Sequence, residues 1–195
     1  DTDKLVLFVG HDFEATASGL PTLAELTDRL NERGTWAARH SFAAAASQFV
    51  RRQNNSRQPL VEFLTAALAD PQPSPLLEAL ARLPMSTILT TAYDERLEIA
   101  LRAAGRSVQS IAADEQFTAR FDAEVQVFHL YGMLQPSYSL LLTEDDHLLA
   151  NQRLYRTELN QKVRSLLPGY VFLCFGVDFA DSTVRLLYKG SEIEP

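Results

Sequence analysis

Short runs of consecutive apolar residues alternate along this chain with stretches in which apolar residues recur every three or four positions. The first run, Leu5 to Val9, is too short for a helix and too apolar for a half-exposed strand, so it predicts a strand buried on both faces. Gly10 ends it. A loop of about a dozen residues is expected to lead to Gly19, and Pro21 to open a helix where a missing N–H costs nothing. Leu23, Leu26 and Leu30 fall on one side of that helix, which ends near Gly34. A second helix is expected from Trp36 to Arg52, broken by Asn54, Asn55 and Ser56. Pro59 starts a third, with Leu60, Phe63, Leu64 and Leu68 on one face, and Pro71, Pro73 and Pro75 close it.

Pro75 to Leu83 reads as a short helix and Ser86 to Thr91 as a second buried strand. Thr91-Ala92-Tyr93-Asp94 is the next strand-to-helix turn. Asp94 has the chemistry of an N-cap, and Leu97, Ile99, Ala100, Leu101 and Ala104 supply a buried helix side that Gly105 stops. Val108 to Ala112 is a third strand, Asp114 to Asp122 a polar loop, and Val125 to Leu130 a fourth strand running into Tyr131-Gly132. Ser137 to Leu142 is a further apolar run. Thr143-Glu144-Asp145-Asp146 then marks a helix start with acids in its first turn, and one long helix is expected through Leu154, Leu159, Val163 and Leu166. Tyr170 to Phe175 is the most apolar strand, closed by Gly176, and Asp181 caps a last helix through Val184, Leu186 and Leu187. The alternation predicts an α/β, Rossmann-like parallel sheet wrapped by helices on both faces. Residues 1–195 form a single domain in this reading, with a helical cap over roughly 36–83 inserted after the first βα unit.

Composition narrows the classes. At 46% apolar residues the chain has enough material for a core. One cysteine, Cys174, excludes a disulfide framework and a cysteine-based zinc site, and predicts a reducing, cytoplasmic setting. No apolar run approaches the roughly 20 residues that span a bilayer, so no membrane is expected. The formal net charge of −7 argues against nucleic acid as a partner. One local exception is the stretch from Arg29 to Arg57, with six arginines and a single acid, Glu32; it is either a solvated helix face or a docking surface for another domain. A start at Asp1 without an initiator methionine suggests a piece of a longer polypeptide.

Three strand ends match in type: Gly10 with its loop, Thr90-Thr91-Ala92-Tyr93-Asp94, and Leu130-Tyr131-Gly132. Gly176-Val177-Asp178-Phe179-Ala180-Asp181 closes the set. In order and spacing they resemble the sirtuin-like domain of bacterial proteins, whose pattern runs F-x-G-A-G-x-S…G-L-P, T-T-N-Y-D, H-L-H-G and G-x-S-x-x-D. Ser18-Gly19-Leu20-Pro21 and His129-Leu130-Tyr131-Gly132 narrow the likeness to a divergent branch at the amino end of large multidomain signalling and defence proteins. This resemblance implies a domain that binds NAD and, in active members, cuts the nicotinamide–ribose bond. It implies Gly10, His11, Asp12, Thr91, Ala92, Tyr93, Asp94, Gly132, Gly176 and Asp178 as the cofactor-binding positions. Other domains of the same chain, and a homo-oligomer, are the implied partners.

This chain departs from the family pattern at several of those positions. Where the family has Ala-Gly-x-Ser, it has His11-Asp12-Phe13-Glu14. Phe13 crowds a pyrophosphate there, and a carboxylate about 4 Å from it costs roughly 4 kcal/mol at an effective dielectric of about 20 unless the side chain turns away. Ala92 stands in place of the asparagine that orients ribose and water. Tyr131 replaces the general-base histidine and, with a reference pKa near 10, is only about one-thousandth ionised at neutral pH. Asp178 replaces a serine. The candidate catalytic residues are therefore Tyr131, His129 and His11. On a strand, His129 and Tyr131 would share one face about 6.7 Å apart; the other reading of His129 is a buried histidine satisfied by its surroundings. His147 reads as helix surface. No metal is assigned to His11, Asp12 and Glu14, and the single cysteine rules out the four-cysteine zinc module of deacylating sirtuins. Three functions stay open: a degenerate NAD-binding or NAD-hydrolysing effector, an inactive module that senses a nucleotide or binds a protein, and a distinct glycosidic hydrolase using His11 or His129 with Asp12.

Overall fold

The computed structural model describes residues 4–34, 41–69, 72–116, 123–153, 158–166, 168–181 and 184–185. Its sheet has five strands, β1 (Leu5–Val9), β2 (Thr87–Thr90), β3 (Val108–Ile111), β4 (Val125–His129) and β5 (Val171–Phe175), in the spatial order β3-β4-β2-β1-β5. Every neighbouring pair is parallel. A parallel sheet leaves both faces to be covered, and the strands alternate accordingly. Val6, Phe8, Leu89, Ile111 and Phe128 enter one core, and Leu7, Val9, Ile88, Val125 and Val127 enter the other.

Helices complete both layers. On the first face lie α2 (Leu23–Gly34) through Leu26 and Leu30, α3 (Phe42–Arg52) through Ala45, Ala46 and Phe49, and α4 (Gln58–Ala67) through Leu60, Phe63 and Leu64. On the second lie α5 (Pro75–Ala81) and α6 (Arg96–Ala103), through Leu77, Leu80, Leu97, Ala100 and Leu101. The first face is completed by α8 (Glu158–Leu166), with Leu159, Val163 and Leu166. Each fully buried leucine in these layers contributes about 2 kcal/mol. The helical insertion between β1 and β2 is thus split, its α3 and α4 over one face and its α5 over the other. Among the described residues no helix is long and apolar enough to cross a membrane.

Several local expectations are corrected. The loop expected after Gly10 is a helix, α1 (His11–Ala17): Gly10 is its extended N-cap, and the Leu20 N–H closes it by donating to the Ala15 carbonyl at 2.8 Å. The next helix begins at Leu23, not Pro21, because Thr22 and Glu25 cap it reciprocally. The Thr22 N–H donates to Glu25 Oε2 at 2.8 Å and the Glu25 N–H to Thr22 Oγ1 at 3.3 Å. The expected long helix after Thr143 is described as α7 (Glu144–Arg153) and α8, and Leu154 lies outside the described residues, as do Trp36, Pro71, Asp122, Leu186 and Leu187. The most apolar strand, β5, is an edge strand, and its Val171 is 67% exposed. On α6, Ala104 is exposed while Arg96 and Glu98 are buried.

The arginine-rich stretch is partly structural. Arg57 reaches from the start of α4 to Asp146 Oδ1 at 3.0 Å and to the Leu140 carbonyl at 2.9 Å, Arg52 donates to the Gly34 carbonyl, and Arg33 lies over the Phe63 ring at 4.8 Å.

Candidate functional site

The parallel register sets Phe175, Val9, Thr90 and His129 side by side across β5, β1, β2 and β4. Backbone bonds continue one residue further. Gly10 N–H donates to the Phe175 carbonyl at 2.8 Å, Thr91 N–H to Val9 at 3.3 Å, and Leu130 N–H to Thr90 at 2.9 Å. Gly10, Tyr93, Tyr131 and Gly176 therefore stand over one edge, the carboxyl end of the sheet, where ligands of open α/β folds bind. Between β1 and β5 this rim is backbone packed on backbone. A Cβ on Gly10 would sit 1.8 Å from the Gly176 carbonyl oxygen, and one on Gly176, at φ +59°, would sit 2.5 Å from Phe13 Cβ. Only glycine fits either place.

Below the rim lies a buried cluster of charge. Asp94 and Arg96 form a fork, with Arg96 Nε to Asp94 Oδ1 at 2.7 Å and Nη2 to Oδ2 at 2.6 Å. His129 Nε2 meets Glu98 Oε1 at 2.6 Å while Nδ1 faces the Ala92 carbonyl at 3.0 Å. Burial alone would lower the His129 pKa, but the adjacent Glu98 carboxylate overrides it and raises it to about 9. Burial works against ionising Glu98 too; the His129 charge and the hydrogen bonds from His129 and Ser110 hold its pKa below the ordinary carboxylate value. Glu14, wholly buried, accepts from Thr90 Oγ1 at 2.9 Å. Its pKa is raised to about 8, by burial first and then by Asp94. With Glu14 neutral, two carboxylates face two cations. Thr90 Oγ1 also accepts from the Ala92 N–H at 3.0 Å, so the backbone of Ala92 ties both halves of the cluster together.

Above the rim, between α2, α3, α7 and the turn after β5, opens a cleft of about 860 Å³. Its floor carries Tyr93 and Tyr131, ring centroids 6.4 Å apart, and Phe42 lies 6.4 Å from Tyr93. His147 stands edge-on to Tyr131 at 5.3 Å. Three carboxylates line the cleft, Asp28 from α2, Glu144 from α7 and Asp181, and no lysine or arginine among the described residues does. Both tyrosines feel this. Burial, then Asp181, Asp146 and Asp12, push the Tyr93 phenol far above its ordinary value. Burial, the Asp181 charge and a hydrogen bond with Asp181 do the same to Tyr131. His147 is shifted the other way: burial lowers its pKa against the pull of Asp181 and Asp146, which leaves a neutral imidazole at pH 7.

The SIR2-like domain model matches residues 86–192, more than half of the chain, from the start of β2 past the last rim turn. The chain belongs to the SIR2-like domain family. A comparison with curated proteins finds no match.

On this SIR2-like frame the site positions read from the sequence divide between the cluster and the cleft. Tyr93 and Tyr131 line the cleft; Gly10, His11, Asp12, Thr91, Ala92, Asp94, Gly132, Gly176 and Asp178 do not. His129 belongs to the buried cluster. It lies on the Val125 and Val127 side of β4, whereas Leu130 and Tyr131 enter the opposite core, so the expected shared face does not exist. The chain turns immediately after His129 and the strand alternation ends there. His11 is buried with its ring 5.6 Å from Tyr93 and Nε2 3.3 Å from the Pro21 carbonyl; burial lowers its pKa despite Asp94 and Asp12.

The side chains after Gly10 are engaged within the protein. Asp12 Oδ1 accepts from the Leu23 N–H at 2.7 Å, capping α2, Phe13 packs on Phe175 at 5.2 Å, and Glu14 is buried. The His11 N–H is taken by Thr91 Oγ1 at 3.0 Å. Asp181 accepts from the Val184 N–H at 3.0 Å in its capping role. Gly132, at φ +77°, is pressed against the Ser139 carbonyl, and Asp178 accepts from the Ala180 N–H at 2.8 Å. Among the described residues no group of three or more His, Cys, Asp or Glu is placed to hold a metal ion.

Against these facts NAD fits poorly. A pyrophosphate about 8 Å from one cleft carboxylate meets roughly 2 kcal/mol of repulsion at an effective dielectric of about 20, and the cleft has three. The residues that sequence reasoning missed are Arg96, Glu98, Asn31, Asp28 and His147. Of these, His147 alone carried a signal: it follows the acidic first turn of a helix whose start, through the Thr143–Asp146 cap, is held next to the rim.

Proposed function

We propose that this SIR2-like domain is a recognition module whose nucleotide site has degenerated, and not an NAD glycohydrolase. The observation that carries this reading is the state of the cleft over the β2 and β4 tips. It is bordered by carboxylates, with no lysine or arginine among the described lining residues, and the tyrosine at the family's general-base position is held protonated by burial and then by Asp181. A phenol so held accepts no proton from a ribose hydroxyl. Ala92 offers no side-chain polar group, and its backbone is spent on Thr90 and His129. The first backbone N–H of α1 is taken by Thr91, so the start of this helix has lost part of what makes a phosphate cradle. In this reading the domain holds a ligand or a neighbouring domain of a larger protein and transmits its presence.

The test is incubation of the domain with NAD, with nicotinamide followed by chromatography, alongside calorimetry with ADP-ribose. No nicotinamide release, and ADP-ribose binding no tighter than millimolar, are expected. Nicotinamide release that is abolished in Tyr131→Phe overturns the proposal and restores the NAD-hydrolysing reading.

A further inference from the structure

We infer that α7 is a gate on the cleft, a wall that opens from its C-terminal end while its start stays pinned to the rim. The inference concerns the wall and not what enters, so it stands apart from the recognition role proposed above. Its first support is the way the helix is anchored. A dense set of bonds holds the first turn. The Glu144 N–H donates to Ser47 Oγ on α3 at 2.9 Å, and Asp146 Oδ2 accepts from the Leu142 and Thr143 N–H groups at 3.0 and 2.9 Å. Asp146 Oδ1 takes Arg57 from the start of α4, and just upstream the Leu141 N–H donates to the Tyr131 carbonyl at 2.9 Å. Further along, the packing is thin. None of the described side chains from Glu144 to Ala150 is buried, none joins either core, and Leu148 and Leu149 are 56% and 48% exposed.

A helix of 10 residues is marginal in water without a buried face, and the acids of its first turn favour that turn alone. The second support is position. Glu144, His147 and Leu148 fall on one stripe of α7 and line the cleft, and His147 stands edge-on to Tyr131 at 5.3 Å. Tyr131 and Tyr93 form the floor, yet they are only 6% and 1% exposed. A molecule that is to meet those rings needs a wall to move. The other helical walls are fixed, α2 by Leu26 and Leu30 and α3 by Ala45, Ala46 and Phe49, all buried in the core of the first face. α7 has no such hold among its described side chains, and opening it carries His147 off the Tyr131 ring.

The test combines native-state hydrogen exchange on the 195-residue chain with hydroxyl-radical footprinting, both read by mass spectrometry. Amides of α7 beyond its first turn should exchange at least about 100-fold faster than those in the middle of α3, at a rate that low urea leaves unchanged. Ser47→Ala removes the acceptor for the Glu144 N–H. It should raise α7 exchange about fivefold, the effect of a lost cap, and raise Tyr131 oxidation with it, while α2 exchange stays constant. α7 amides as slow as those of α3 overturn the inference. So does Tyr131 oxidation that stays constant in Ser47→Ala, which would make α7 a frayed helix that guards nothing. An equal rise in α2 exchange also overturns it, because the whole domain would then be opening.

Discussion

Beneath the tip of β2, Asp94, Arg96, Glu98 and His129 set two carboxylates against two cations in a space closed to water. Above the same tip, the cleft sets Asp28, Glu144 and Asp181 against no lining lysine or arginine among the described residues. The two constellations share a rim, and Tyr93 and Asp94 are consecutive residues facing one and the other. Their difference follows from solvent. Full burial makes any unpaired charge prohibitively costly, so the cluster is balanced and its extra acid, Glu14, is kept neutral. An open cleft tolerates carboxylates with no lysine or arginine beside them because water screens them.

The largest test of that contrast removes one member of the balanced set. Arg96→Met leaves Asp94 buried without its fork and should lower stability in urea by about 4 kcal/mol, whereas Asp28→Asn in the cleft should change it by less than about 0.5 kcal/mol. Adding Asp94→Asn to Arg96→Met should recover part of the loss, as expected of two directly bonded groups. Equal effects of the cluster and cleft variants would erase the distinction between them.

A somewhat smaller effect is expected from pH. The His129 pKa is raised to about 9 in the folded protein, so the stability it adds is fully present below its unfolded value near 6.5 and is lost as pH rises through 9. Glu14, raised to about 8, acts in the same direction, because the folded state keeps a proton that the unfolded chain has released. Stability in urea should therefore fall steadily from pH 6 to pH 10. His129→Gln should flatten the upper part of that profile even if it lowers stability throughout. A midpoint that rises with pH would mean that the pair is not charged as described.

How far the sequence showed this in advance depended on which signal each feature left. The five strands were legible from their apolar runs, and the convergence of Gly10, Tyr93, Tyr131 and Gly176 from the likeness of their strand ends. α1 was not, because Gly10 followed by His11-Asp12-Phe13-Glu14 reads as a loop until Asp12 is seen capping the next helix. Periodicity on α6 was read from its leucines and alanines, which hid Arg96 and Glu98: charged residues on a helix signal solvent unless their partners, here Asp94 in the preceding turn and His129 at the end of β4, are placed against them. β5 was read as the most apolar strand, but apolar content cannot tell a central strand from an edge strand, which it is. His147 and Asp28 lie far apart in the chain, and only the packing of α7 and α2 around the rim puts them on one cleft.

Glu14 offers the finest test of the contrast, because its charge can be removed with little change in shape. In the folded protein its carboxyl sits among Thr90, Asp94 and Glu98 with Oε2 lacking a partner among the described residues, so the neutral form is the one that the cluster accommodates. Above its unfolded pKa near 4.5, the wild-type chain must take up a proton at this site in order to fold, and the cost grows until pH 8. Glu14→Gln supplies a neutral group of the same length that can still accept from Thr90. It should therefore stabilise the domain at pH 8 and do so less at pH 6, read as separate urea midpoints at the two values. The same exchange at Glu144, an exposed side chain on the cleft wall outside the core, should leave both midpoints where they were. A destabilised Glu14→Gln at pH 8 would mean that the cluster needs a third anion, and the balance that separates it from the cleft would then be misjudged.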